Sequence, residues 1–141
     1  LKFTPKLYTQ KNAIFAAEKD QMMQEPSQTR ILDSSVLEGL RVYAKSGAFL
    51  QQVIEIFEQH GRMSLDELFA ASESDDNEAV RRVAHRLKGS CLNVGATLLA
   101  QKLRLLEQLC AANASHEDTH VLIAGLPEVF ENTCNALKSI P

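Results

Sequence analysis

One imidazole, four basic side chains and a glycine fall within nine consecutive residues, Arg81-Arg82-Val83-Ala84-His85-Arg86-Leu87-Lys88-Gly89. An unperturbed imidazole changes charge near neutral pH, so an exposed one is a competent nucleophile under cellular conditions. Arg81, Arg82, Arg86 and Lys88 make the segment locally basic, and such a neighbourhood stabilises a phosphoryl group through charge-assisted hydrogen bonds. Gly89 has no evident turn to make, although glycine inside a helix costs about 1 kcal/mol relative to alanine. A missing side chain beside His85 would let another protein's surface approach the imidazole. Each feature also has a bland reading. Exposed histidines on helices are common, and four basic residues are usually a solvated face. The residues alone leave both readings open.

The element that must carry this segment is a helix. At roughly 100° per residue, Val80, Ala84, Leu87 and Cys91 form one apolar stripe, and His85 lies about 140° round from Val80, off that stripe. Gly89 follows one turn further along the outward face, with Lys88 and Arg81 beside it, and Leu92 one turn beyond on nearly the same face. Gly95 suits the left-handed residue that ends such a helix.

The rest of the chain has the same character. Glycine and proline are scarce and apolar residues recur at spacings of three and four, which predicts an all-α protein. Asp33, Ser34 and Ser35 offer caps for a short helix holding Val36, Leu37, Leu40 and Val42. A second helix runs from about Ala48 to Ala71, with Leu50, Val53, Ile54, Phe57, Leu65, Leu68 and Phe69 as core candidates. His60-Gly61 marks a bend or split in it. The polar run Ser72 to Asn77 is a turn, and the histidine helix follows to about Val94. A fourth helix, from about Ala96 to Ala112, places Leu99, Leu103, Leu106 and Cys110 in the core. The last starts near His116 and carries Leu122, Leu126, Phe130 and Leu137, with Pro127 bending it or marking a late start. Short turns between amphipathic helices favour antiparallel neighbours, hence an antiparallel four-helix bundle with an additional short N-terminal helix. Residues 1–30, punctuated by Pro5 and Glu25-Pro26-Ser27-Gln28, read as a linker or added helix, in which only Ala13 to Met23 is a helix candidate; the domain proper is 31–141.

Composition narrows the function classes. The 141 residues suffice for one domain, and 45% apolar with 23% charged residues is the mix of a globular protein. A formal net charge of -3 argues against a dedicated nucleic-acid binder. Cys91, Cys110 and Cys134 are odd in number and lack CxxC spacing, which suits thiols used as small hydrophobes in a reducing cytosol. No stretch approaches the length of a membrane span, and no signal peptide is visible. Leu1 in place of an initiator methionine reads as a fragment of a longer protein.

His85-x-Leu87-Lys88-Gly89-Ser90, followed by Gly95-Ala96, resembles the signature of histidine-containing phosphotransfer (HPt) domains. The resemblance extends over about Ile31 to Leu137 and includes the pair Leu106-Glu107 in the next helix; Cys91 departs mildly, where the family often has a small residue. It implies a phosphorelay intermediate without its own ATP site. His85 would be the phosphoacceptor, taking the group from a receiver-domain aspartate and passing it to a second receiver. Lys88 would stabilise the phosphoryl group, Gly89 give clearance, Ser90 support the site, and Leu92, Arg81 and Arg86 contribute docking surface. The chain itself would need no cofactor or metal, the Mg²⁺ belonging to the receiver. The implied partners are response-regulator receivers, met transiently by a cytoplasmic monomer that touches neither nucleic acid nor membrane, as the C-terminal module of a hybrid sensor histidine kinase, itself membrane-anchored in one reading.

Four alternatives remain. The phosphoacceptor domain of a chemotaxis-type kinase is close in fold and motif. A sensor-kinase dimerisation domain fits less well, since it typically has an acidic residue after the histidine and a proline soon after; here Arg86 follows and no proline appears before Pro127. A metal-dependent helical bundle would need convergent ligands, whereas His60, His116 and His120 are scattered. A plain interaction bundle is the last.

Overall fold

A computed structural model describes residues 30–44 and 47–140. The expected linker or added helix in residues 1–30, including Ala13 to Met23, lies outside the described residues except for Arg30. The described chain is helical: α1 Ser34–Ala44, α2 Gly47–Glu73, α3 Asn77–Asn93, α4 Thr97–Ala111 and α5 His116–Lys138.

The turns after α2, α3 and α4 are short, and left-handed residues make each of them. Asp75 and Asn113 both take φ 56°, a conformation their short polar side chains tolerate. Gly95 takes φ 72° and has a second reason to be glycine. A Cβ there would stand 2.8 Å from the Asp33 carbonyl oxygen, because Asp33 N–H donates to the Gly95 carbonyl at 2.7 Å. The α3–α4 turn thereby anchors the start of α1. Asp76 caps α3 by accepting from Ala79 N–H, and Ser115 caps α5 by accepting from Asp118 N–H.

Consecutive long helices pack against each other, α5 closes back onto α2, and α1 lies on α2. The result is the expected antiparallel four-helix bundle with a short helix at its N-terminal side. Leu68, Leu87, Leu99, Leu103, Leu106, Ile123, Leu126, Phe130 and Leu137 are fully buried at its centre. Burial of each such side chain contributes about 1.5–3 kcal/mol before the cost of chain entropy. The predicted stripe of Val80, Ala84, Leu87 and Cys91 is buried throughout. The three thiols are free and buried. Burial pushes the Cys91 thiol up to about 12, and Cys110 and Cys134 to about 11.

Several expectations need correction. Residue pair His60-Gly61 neither splits nor ends α2, because Gly61 is a packing residue; a Cβ on it would lie 2.3 Å from Phe130 Cε1. Pro127 sits inside α5, which starts at His116 without delay. Buried residues on both sides of Pro127, from Ile123 to Leu137, hold the helix through the lost backbone hydrogen bond. Ser72 belongs to α2 and is buried rather than part of the turn. Of the core candidates on α2, Val53 and Phe69 are only partly buried, packed at the core's edge.

Candidate functional site

The core stripe of α3 fixes what its opposite face can show. With Ala84 and Leu87 locked inward, His85 points outward in mid-helix with 69% of its side chain exposed. Gly89, one turn on, is exposed and has nothing within 4 Å of where a Cβ would stand. Leu92 follows at 56% exposure. The outward face of α3 is thus an imidazole, a gap and an apolar knob in line.

The neighbouring helix supplies the site's carboxylate. Glu107, on α4, is only 17% exposed and reaches both site residues of α3. Its Oε2 lies 3.3 Å from His85 Nδ1 and its Oε1 3.0 Å from Lys88 Nζ. A carboxylate accepts but does not donate, so in the neutral ring a hydrogen bond here would place the proton on Nδ1 and leave Nε2 as the unprotonated nitrogen. The Lys88 contact is an ion pair rather than an aligned hydrogen bond. Lys88 is itself 22% exposed, its stem laid against the bundle and its ammonium held by Glu107.

The remaining sequence-derived candidates are placed less directly. Arg81 Nε and Nη2 donate to the two oxygens of Glu78 at 3.1 and 2.6 Å, which holds the Glu78 carboxyl below its usual range and raises the guanidinium. Arg86 Nη2 donates to Glu67 on α2 at 2.8 Å. Ser90 is partly buried on the flank of α3. His85, Lys88, Gly89 and Leu92 therefore share one place, with Arg81 and Arg86 at its edges on carboxylates of their own. Glu107 is the residue that reading the sequence did not assign to the site. Its signal was present in the Leu106-Glu107 pair, where Leu106 is buried and its neighbour is turned to the α3 side.

Among the described residues no group of three or more His, Cys, Asp or Glu side chains gathers as a metal site. His116 and His120 do stack, with ring centroids 5.5 Å apart, and His116 Nδ1 lies 3.4 Å from Asp75. That pair stands at the α5 N-terminus, on a different element from His85. No helix among the described residues is long and apolar enough to cross a membrane.

A four-helix bundle that presents an imidazole in mid-helix one turn from an open glycine is the architecture of a histidine phosphotransfer module. The Hpt domain family model matches residues 52–139, more than half of the chain, and the chain belongs to that family. It is similar to the sensor protein TorS of Escherichia coli K12, at 35% identity over 78 residues, 55% of this chain; that region is 8% of the length of TorS. Among solved structures, histidine-containing phosphotransfer protein B of Pseudomonas aeruginosa PAO1 is 27% identical with a TM-score of 0.69, covering 77% of this chain and 91% of its own. A histidine-containing phosphotransfer protein from rice also gives a TM-score of 0.69, covering 87% of this chain and 92% of its own; at 22% identity it speaks for the fold alone. The chain is thus a phosphorelay Hpt domain, a phosphotransfer intermediate in a family that works with receiver domains.

Proposed function

We propose that His85 is the phosphoacceptor, loaded from an aspartyl phosphate on one receiver domain and unloaded onto an aspartate of another. The observation that supports this most is the Glu107–His85 contact, which engages Nδ1 and leaves Nε2 for the reaction on a ring that is 69% exposed, one turn from the open surface of Gly89. In the forward step Nε2 attacks the phosphorus, the P–N bond forms, the bond to the aspartate oxygen breaks, and the carboxylate leaves. The imidazole ring gains positive charge as the bond forms, and Glu107, next to Nδ1–H, offsets it. Lys88 stands one turn away to meet the phosphoryl oxygens. The receiver's bound Mg²⁺ and its lysine supply the rest of the charge stabilisation. The second transfer runs the same steps in reverse.

The similarity to a sensor protein supports a further reading, that this domain, residues 31–141, is one module of a hybrid sensor histidine kinase. It acts as a cytoplasmic monomer. The test is transfer in a defined mixture. Receiver domains charged with acetyl phosphate should lose their label to this chain within seconds to minutes, in a 1:1 product by intact mass. Labelled ATP and Mg²⁺ alone should leave the chain unlabelled. Incorporation from ATP alone, or no uptake from any charged receiver, would overturn the proposal.

A further inference from the structure

Arg82 stands apart from the other cations around His85. Arg81 occupies both oxygens of Glu78, Arg86 is paired with Glu67, and Lys88 with Glu107. Arg82 is exposed and has no acidic side chain at ion-pair distance among the described residues. Its charge reaches Glu78 through space, but that carboxylate is already held by Arg81. Helical geometry puts Arg82, His85, Gly89 and Leu92 within a sector of about 80°, with Arg82 about 4.5 Å before His85 along the axis and Leu92 about 10 Å beyond it. The face presented to a partner is therefore polarised. It has an unneutralised cation at one end, an exposed leucine at the other, and the nucleophile between them.

We propose that Arg82 is a specificity-determining residue of this surface, and that a receiver docks with a carboxylate against Arg82 and an apolar side chain over Leu92. This rests on the phosphorelay reading above and adds the partner's chemistry and its polarity along α3. A receiver with a basic residue at the Arg82 end is repelled, and one approaching in the reverse sense sets its carboxylate on Leu92. Either mismatch desolvates a charge without a partner.

The experiment measures the second-order rate of transfer from an acetyl-phosphate-charged receiver domain that loads the wild-type chain, across a range of salt. Arg82→Gln should lower that rate roughly tenfold and flatten its salt dependence, as loss of a steering charge does, and Arg82→Glu should lower it further. Arg81→Gln should have the smaller effect, because that guanidinium is already neutralised. Direct labelling of His85 by phosphoramidate, which needs no protein partner, should fall by much less than transfer does in both Arg82 variants. Wild-type transfer rate and salt dependence in Arg82→Glu would overturn the proposal. So would an equal loss of phosphoramidate labelling, which would place Arg82 on the imidazole instead of on the partner. If no receiver loads the wild-type chain, the phosphorelay reading itself fails first.

Discussion

At the scale of single residues, Glu107 holds the site together, since one carboxylate meets both His85 and Lys88. Its two contacts have different consequences. The His85 contact engages Nδ1 and so favours the tautomer with Nε2 unprotonated, while the Lys88 contact keeps an ammonium near the imidazole at the cost of partly neutralising it. Glu107→Ala should slow transfer about tenfold, the size of one lost charge-assisted hydrogen bond of about 1.4 kcal/mol. Glu107→Gln, whose amide oxygen still accepts from Nδ1–H, should recover part of the rate. Stopped-flow transfer of both variants checks this, and equal losses would show that the charge matters more than the acceptor. Lys88→Ala should slow transfer severalfold and lower the melting temperature modestly, since it leaves the mostly buried Glu107 without its counter-charge. The histidine, the lysine and the glycine were legible in the sequence because they share one helical segment, where spacing translates directly into direction. Glu107 was not legible as a partner, because its meeting with His85 depends on how α3 and α4 pack.

Among the helices, the glycines divide by what surrounds them. Gly61 lies under the Phe130 ring, which is fully buried and tilted at 35° to Phe57 with centroids 5.7 Å apart. Gly61→Ala should therefore destabilise the bundle by about 1–3 kcal/mol, overpacking outweighing the gain in helix propensity. Chemical denaturation of the variant measures it, and Phe130→Leu in the same chain should return part of the loss. Gly89 has open space instead, so Gly89→Leu should leave stability unchanged or slightly higher while slowing transfer strongly by obstructing the approach to His85. Unfolding of Gly89→Leu, with full activity in the folded remainder, would make that glycine a packing residue. Helix existence and the core stripes followed from periodicity alone. The behaviour of His60-Gly61 and Pro127 did not, because a local breaker is overruled when tertiary packing continues on both sides of it, as Phe130 does for both helices.

For the molecule as a whole, α5 is fastened to α2 by a charged clasp as well as by the core. Lys138 Nζ lies 2.6 Å from Glu58 Oε2, Arg62 pairs with Glu58 and Glu131, and its guanidinium carbon sits 5.5 Å from the Phe130 ring centroid. The Lys138 ammonium, paired closely with Glu58, holds that carboxyl below its ordinary 4.5, and Arg62 does the same for Glu131. Depressed carboxyl pKa values stabilise the fold above the ordinary range, and that stability is lost as pH falls below about 4.5 through the folded-state values. Thermal melts of wild type and Glu58→Gln should differ by about 1 kcal/mol at neutral pH and converge in acid; a difference that persists in acid would contradict the linkage. The clasp lies between α2 and α5, whereas His85 and Glu107 stand on α3 and α4, so its loss should leave transfer intact. On this account phosphoryl transfer needs the outward face of α3 and Glu107 of α4, and the central claim is that His85 Nε2 carries the group. The most direct measurement loads the chain from a charged receiver and locates the phosphate by peptide mass spectrometry and phosphorus NMR, in wild type and in folded His85→Gln. The account predicts a single acid-labile, alkali-stable phosphoramidate on His85 Nε2 and no label in the variant. Undiminished labelling of His85→Gln, or phosphate on His60, would contradict it.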